Sequence, residues 1–312
     1  MINRRHIRVK VMQSVYALLQ SKSDDLDKES QFLYDSIDRV FDLYAIVLSL
    51  LTEVCKMEKT HQSLSKKKIL ASPEELNPNT KFINNRIFKI LLESPSLKDR
   101  IESRKLNCWY LDNDYVKKIL KRIKADLAYK DYMQSPESDF REDREFVLNI
   151  FKHIIAPNDT LADYFEDSVI SWADDIPFVN TWIVKTLNQL KPGKGFKLGR
   201  LYKDDDDKKF VSELFRKTVL NHHKYEEEIV QKTPNWDKER IAEVDMILLK
   251  MALCEFLCFP LIPTRVTINE YIEISKDYST VKSSFFINGV LDKLLKEYTE
   301  TKRLQKIGRG LL

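Results

Sequence analysis

The residues whose chemistry stands out in this chain of 312 amino acids are the cations close to its beginning. Arg4, Arg5, Arg8 and Lys10 follow one another closely, and residues 1–23 contain no acid. Arg4 and Arg8 are one helical turn apart with Arg5 beside them, which predicts a basic ridge along the exposed side of a helix. Clustered cations attract a polyanion and release its counterions. The pattern indicates either a nucleic-acid partner or basic termini that only aid solubility.

The positive charge of the chain is concentrated at its two ends. The formal net charge is +4, of which residues 1–23 contribute +5 and residues 299–312 contribute +3. The body between these segments is therefore mildly acidic.

Side chains arranged for catalysis or metal binding are missing from the sequence. The chain has five histidines and no HExxH, GxSxG or CxxC motif. Cys254 and Cys258 share a helix face, but no histidine lies nearby to complete a zinc site. The run from Asp204 to Asp207 lies in the glycine-containing segment 191–209, where adjacent carboxylates are usually solvated. The sequence predicts a non-enzymatic protein without cofactor or metal.

Composition restricts the fold class further. The chain contains six glycines, and the first of them is Gly193. A Rossmann or Walker-A glycine loop is therefore excluded from the first three-fifths of the chain, and all-β folds with glycine-rich turns are unlikely. No stretch of 18 apolar residues and no export signal are found, so we expect a cytoplasmic, predominantly helical protein.

Apolar periodicity places the helices that must position these residues. We expect a basic amphipathic helix at the start of the chain and further helices between residues 80 and 191. In the C-terminal third, Thr267–Glu270 reads as a capping box, and Gly289 suggests a close approach between two helices. The remaining predictions are helices over 28–58, over 209–231, from Pro234 and Asp237 through Met251, and over 283–298.

Three ordered motifs in the C-terminal third, together with the arginine-rich start, resemble the NusB family of bacterial transcription antitermination factors. They are Asn235-Trp236 followed by ERIAEVDMILLKMALCEFL (239–257), IPTRVTINEYIEISKDYS (262–279) and FFINGVLDKLL (285–295). The segment RRHIRVKVMQSVYAL (4–18) is similar to the first helix of that family. The resemblance covers about residues 1–58 and 200–298, with an expanded segment between them.

The resemblance implies an all-α fold of two helical-bundle subdomains of NusB type with a large helical insertion. We therefore divide the chain into residues 1–200, which hold the basic helix and the expanded region, and residues 201–312, a NusB-like domain for RNA and partner binding. It further implies binding to the boxA RNA element of rRNA leader transcripts. That binding occurs together with NusE, a small-subunit ribosomal protein, within the RNA polymerase antitermination complex.

Site residues carry over from the family onto matching positions. For RNA binding these are Arg4, Arg5, Arg8, Lys10, Tyr16 and Phe286; for partner binding they are Asp245, Lys250 and Glu255. The family often has lysine directly before the aromatic residue of the last motif, where this chain has Phe285. Phe286 also fits the apolar row of its helix, so core packing is the alternative there. Asp245 could equally be a paired structural acid.

Two other functions stay open. NusB-like domains also occur fused to RNA cytosine methyltransferases, which need a glycine-rich methyl-donor site and a cysteine that follows proline. None of the four cysteines here follows proline. The other alternative is a scaffold whose inserted helices bind proteins.

Overall fold

The structure is a computed structural model that describes residues 1–136, 139–233 and 241–311. All regular secondary structure in these ranges is helical, which confirms the predicted all-α class. The helices are α1 (Arg4–Ser21), α2 (Leu26–Ser65), α3 (Pro73–Leu76), α4 (Arg86–Leu92), α5 (Pro95–Ser103), α6 (Cys108–Leu111), α7 (Asn113–Ala125), α8 (Leu127–Gln134), α9 (Phe140–Ile150), α10 (Asp159–Ser168), α11 (Trp172–Gln189), α12 (Asp205–Leu220), α13 (His222–Lys232), α14 (Glu243–Cys258), α15 (Thr264–Tyr278) and α16 (Ser283–Glu300). A π-helical turn, Phe151–Ile155, continues α9, and a 3₁₀ turn, Gly308–Leu311, lies near the end.

The chain forms two compact units. Unit 1 combines Met1–Ile37 with Leu201–Leu312, and unit 2 is Asp38–Arg200. One boundary between the units lies between residues 200 and 201, and residues 1–37 group with the C-terminal part and not with the expanded region. The reason is that α1 packs against α12, α14 and α15.

Unit 1 is built around α14, whose residues Asp245–Phe256 are all buried. A helix that is apolar nearly all round is stable in water only when other helices cover it on every side. α1, α12, α13, α15 and α16 provide that cover. The start of the chain is also fixed by the Ile2 amide, which donates to the Leu201 carbonyl at 2.8 Å.

Unit 2 has its own core, which the C-terminal part of α2 shares with α4, α7, α9 and α11. Tyr44 on α2 stacks on Trp182 of α11 with ring centroids 4.1 Å apart, and its hydroxyl is 2.7 Å from that of Thr186. The Trp109 indole donates to the Ile46 carbonyl at 3.1 Å. These contacts satisfy the polar atoms of large aromatic side chains inside the core.

Two local predictions around residue 209 are wrong. The acidic run is not part of a loop, because α12 begins at Asp205 and Asp204 is its N-cap, accepting from the Asp207 amide at 3.1 Å. Carboxylates are favoured in the first turn, where free amides and the helix dipole attract negative charge. The single helix expected over 209–231 is instead α12 and α13, separated at Asn221.

Two predictions in the C-terminal helices are also wrong. Thr267 caps no helix, since α15 begins three residues earlier after Pro263. Gly289 does not mark a close helix approach, because a Cβ built there meets no described atom within 4 Å. The predicted helix over 283–298 is confirmed as α16. The expected helix start at Pro234 and Asp237, and the Asn235-Trp236 motif, lie outside the described residues.

No helix within the described ranges combines the length and the apolar character needed to cross a membrane.

Candidate functional site

The candidate site begins at the first turn of α1. The Asn3 side chain caps this helix by accepting from the His6 amide at 2.7 Å. Arg4 and Arg5 follow, and their side chains are 42% and 46% exposed. Cations are unfavourable at a helix N-terminus, because the free amide groups there already carry partial positive charge. Two acids from other helices offset this repulsion.

Each exposed arginine is paired with one of these acids. Arg4 Nε donates to Asp207 Oδ1 on α12 at 2.8 Å, and its guanidinium lies 5.1 Å from the Phe210 ring centre. Arg5 binds Glu270 on α15 through Nε and Nη2, at 3.0 and 2.9 Å. The hydrogen bonds that Arg5 donates to Glu270 raise the pKa of Arg5 above its ordinary value. Both guanidinium groups are therefore held in position by an acid while they stay partly exposed to solvent.

Arg8 lies one turn further and is buried, with 2% of its side chain exposed. Its Nε and Nη2 donate to Glu255 of α14 at 2.6 and 2.9 Å. The Glu255 carboxylate also accepts from the hydroxyls of Tyr271 and Thr267, at 2.8 and 3.1 Å. Burial alone would lower the pKa of Arg8, but the charge and hydrogen bonds of Glu255 raise it above the ordinary value. Arg8 Nη1 also lies 3.6 Å from Glu270 Oε2, so this cluster is a buried ion pair whose carboxylate is held by two further hydroxyl groups.

The predicted exposed basic ridge of Arg4, Arg5 and Arg8 is therefore wrong for Arg8, and Lys10, also predicted to bind RNA, is buried as well. Arg8 and Lys10 are 2% and 1% exposed, respectively. The physical reason is that α12, α14 and α15 all pack against α1 and cover the side on which these cations lie. Only Arg4 and Arg5 present charge at the surface of the helix start.

The aromatic residues predicted to contact RNA occupy two helices. Tyr16 is 39% exposed and lies on α1 roughly 16 Å beyond Arg5 along the helix axis. Phe286, in the first turn of α16, is half-buried. Its neighbour Phe285, which replaces the lysine common in the family, is 79% exposed. The aromatic side chain that faces solvent in this motif is therefore Phe285.

The three residues predicted to bind a protein partner are all buried on α14. Glu255 takes part in the Arg8 pair and is completely buried. Lys250 Nζ donates to Glu226 on α13 at 2.5 Å. Asp245 is 5% exposed, and its Oδ1 has no hydrogen-bond partner among the described residues. Of these three residues, Lys250 lines a cavity at the surface. The cavity has a volume of about 600 Å³, and His222, Met246 and Ile247 also line it.

Sequence reasoning missed Asp207 and Glu270, the acids that hold the two exposed arginines. Glu270 was assigned to a capping box and Asp207 to a solvated run. A helical reading from Thr264 would have placed Thr267, Glu270 and Tyr271 on one face. No signal in the sequence pairs Asp207 with Arg4, since the two residues are 203 positions apart.

The C-terminal basic segment is used internally as well. Arg303 binds Glu228 of α13 through both terminal nitrogens, at 2.9 and 3.0 Å. Lys306 Nζ donates to the carbonyls of Glu255 and Phe259 at 3.1 and 2.9 Å. These two cations fix the tail, residues 301–311, to the helices of unit 1. Their charges are therefore engaged within the protein and are less available to a polyanion than the net charge of the segment suggests.

Within the described ranges, no three His, Cys, Asp or Glu side chains come together as metal ligands.

Comparison with known proteins gives a match to the C-terminal half. A profile described as the NusB family matches residues 180–296, which run from the end of α11 into α16. The chain is similar to the transcription antitermination protein NusB of Salinibacter ruber, with 41% identity over 112 residues, covering 36% of this chain and 70% of the relative. The NusB proteins of Chloroherpeton thalassium and Natranaerobius thermophilus are 36% and 37% identical. These two matches cover 39% and 30% of this chain, and 58% and 67% of the relatives. No solved structure gives a significant match.

The matched segment contains α12, α14 and α15, against which the arginine-bearing helix α1 packs, and the sequence match spans more than two thirds of a NusB relative: the chain belongs to the NusB family.

Proposed function

We propose that this chain is a non-enzymatic, RNA-binding transcription antitermination factor. It binds boxA-type single-stranded RNA of rRNA leader transcripts together with NusE, within the cytoplasmic RNA polymerase antitermination complex. One observation carries the proposal: the family-matched helices hold α1 so that Arg4 and Arg5 are charged, oriented and exposed.

In the proposed complex, Arg4 and Arg5 bind RNA phosphates. A guanidinium group can donate two parallel hydrogen bonds to a phosphate, as Arg5 does here to a carboxylate. An exposed aromatic ring adds affinity by stacking on an unpaired base. Tyr16 and Phe285 supply such exposed rings, and the half-buried Phe286 contributes the part of its ring that reaches the surface beside Phe285.

Arg8 and Lys10 receive a different role in this proposal. Their burial leaves them no surface for RNA, so they support binding by fixing α1 against α14 and its neighbours. Asp245 and Glu255 are also buried, so in this proposal they support partner binding by stabilising α14 and not by touching the partner. Lys250 and the cavity that it lines are the part of the predicted partner site that NusE can reach.

Equilibrium binding of labelled boxA-type RNA, followed by fluorescence anisotropy, tests the proposal. We expect salt-sensitive binding that NusE tightens and that scrambled RNA does not reproduce. Arg4→Gln/Arg5→Gln should weaken binding strongly, whereas Lys98→Gln/Lys185→Gln, with the same change in charge, should not. Equal affinity for boxA-type and scrambled RNA, with and without NusE, would contradict the proposal.

A further inference from the structure

A second basic surface lies in unit 2, on the exposed side of α7 (Asn113–Ala125). The helix buries Val116, Ile119, Leu120 and Ile123 against the core of its unit. Its solvent side carries five cations, and residues 115–125 contain no acid. The five cations are Lys117, Lys118, Lys121, Arg122 and Lys124.

Two of these cations are paired and three are not. Lys117 binds Asp114 at 3.0 Å, and Lys124 binds Glu58 at 2.9 Å. Lys118, Lys121 and Arg122 are exposed and form no ion pair with any residue that the structure describes. The nearby acid, Asp114, is bound by Lys117, so three like charges lie together without an ion-pair partner. Their mutual repulsion has an electrostatic cost, which a bound polyanion would remove.

The three free cations border a concave surface. A cavity of about 360 Å³ lies between α7 and the beginning of α10 (Asp159–Ser168), and its accessible lining is mostly apolar. Tyr115, Ile119 and Leu161 contribute to the lining, and no acid does. We call Tyr115, Lys118, Lys121 and Arg122, with this cavity, the α7 patch.

The aromatic side of the α7 patch is rigid. The rings of Tyr115 and Tyr164 have centroids 4.5 Å apart, and the Tyr164 hydroxyl donates to Asp112 at 2.7 Å. Lys118 Nζ lies 5.5 Å from the Tyr115 ring centre. A planar base entering the cavity could continue this aromatic arrangement without reordering it.

The spacing of the cations fits a nucleic-acid strand. Positions 118, 121 and 122 are related by three and four residues, so they are neighbours on one helix face with Cβ atoms roughly 5–6 Å apart. Cations that follow a backbone, beside an aromatic ring and an apolar recess, are the combination that binds single-stranded nucleic acid without strong sequence preference. An acidic peptide would satisfy the charges but would give the recess no planar group to stack.

We propose that the α7 patch is an additional contact surface for single-stranded RNA. Lys118, Lys121 and Arg122 bind successive phosphates, and one base enters the cavity beside Tyr115. The inference extends the proposed RNA-binding function to unit 2, on residues outside the segment that matches the family.

The test measures binding of the full-length protein to an unstructured RNA that lacks boxA, at salt concentrations between about 50 and about 200 mM. Lys118→Gln/Lys121→Gln/Arg122→Gln should lower affinity about tenfold and reduce the slope of log affinity against log salt by about 2, because each lost phosphate contact removes about 0.7. The matched control is Lys98→Gln/Lys130→Gln/Lys185→Gln, which removes three exposed lysines elsewhere in unit 2 and should bind like the unaltered protein.

A second pair of variants tests the stacking contact. Tyr115→Leu should lower affinity about fivefold or more without changing the salt slope, whereas Tyr115→Phe keeps the ring and should bind normally. Circular dichroism shows whether Tyr115→Leu retains the helical content.

Several results would overturn the inference. The triple variant binding as tightly as its matched control would do so, as would failure of the unaltered protein to bind this RNA. Equal loss of RNA and polyglutamate binding, with no effect of Tyr115→Leu, would show a docking surface for acidic protein. Binding of boxA-type RNA, and its loss in Arg4→Gln/Arg5→Gln, decides the proposed function separately.

Discussion

At the scale of single residues, the first three arginines differ in role although they lie within five positions. Arg4 and Arg5 are partly exposed and are paired with the buried Asp207 and the partly exposed Glu270, whereas Arg8 and its partner Glu255 both lie inside the core. An exposed pair contributes little to stability, but a buried charge without its partner is strongly unfavourable. In the proposed function, the same residue type therefore serves RNA binding at one position and folding at another.

The pair of Arg5 with Glu270 competes with RNA for the guanidinium group. Glu270→Gln should therefore tighten binding of boxA-type RNA by about two- to fivefold, the range expected for releasing an exposed ion pair. Anisotropy titration measures the change. Glu145→Gln is the matched control, because it removes one exposed carboxylate of unit 2 that pairs with Arg141. Unchanged or weaker binding by Glu270→Gln alone would argue against RNA contact by Arg5.

The Arg8 pair makes a prediction about stability. Arg8→Met leaves Glu255 charged and buried, so the free energy of unfolding should fall by about 3–5 kcal/mol. Arg4→Met should change it by no more than about 1 kcal/mol. Urea denaturation followed by circular dichroism compares the two variants.

A double variant checks the cause. Adding Glu255→Gln to Arg8→Met removes the uncompensated charge and keeps one oxygen, which accepts from the hydroxyl of either Tyr271 or Thr267, and should recover part of the loss. If Arg8→Met is no more destabilising than Arg4→Met, the buried pair does not have the role assigned to it.

At the scale of secondary-structure elements, two glycines of unit 1 differ in the space available for a side chain. Gly289 is inside α16 with open space around its Cβ position. Gly310 lies in the tail that Arg303 and Lys306 hold in place, and a Cβ there would lie 1.9 Å from the Pro260 carbonyl oxygen. The first position tolerates a side chain, and the second does not.

Alanine substitutions should therefore change the free energy of unfolding in opposite directions. Gly289→Ala should raise it by about 1 kcal/mol, because alanine is the better helix former. Gly310→Ala should lower it by about 1–3 kcal/mol, because the backbone of the tail must shift. Thermal denaturation of both variants alongside the unaltered protein measures the two effects. Destabilisation by Gly289→Ala would mean that the apparent space at α16 is not open in solution.

Some elements were predictable from the sequence and others were not. Apolar periodicity predicts α1, α2 and α16. The buried residues of α16 follow one stripe, whereas α1 is buried on every side from His6 to Met12. The prediction of a capping box at Thr267–Glu270 is wrong, because the side chains that can cap a helix can also bind distant residues. Thr267 bonds Glu255 and Glu270 bonds Arg5, so tertiary contacts decided the outcome.

At the scale of the whole molecule, the family-like unit is assembled from the two ends of the chain. Residues 1–37 and 201–312 form unit 1, with the expanded region between them in sequence. Glu255 is in the C-terminal segment and its cationic partner Arg8 is in the N-terminal one. A division of the chain at residue 200 alone would separate this buried pair.

A fragment experiment follows from this arrangement. Residues 201–312 alone should fail to fold cooperatively, because the surface that α1 covers and the Glu255 carboxylate would both be exposed to water. Adding a peptide of residues 1–37 should restore helical content and a cooperative thermal transition by circular dichroism. The same peptide with Arg8→Met serves as the control and should be much less effective. Cooperative folding of the fragment without peptide would show that α1 is dispensable to unit 1.

The sequence by itself determined the all-α class, the family and the presence of a basic N-terminal helix. These follow from local quantities: glycine content, apolar periodicity and ordered motifs that are read along the chain. Only the tertiary structure decided which cations face solvent, that Asp207 and Glu270 hold Arg4 and Arg5, and that α1 belongs with residues 201–312. Burial and ion pairing depend on residues that are more than two hundred positions apart, and no periodicity along one helix reports which neighbours will cover it.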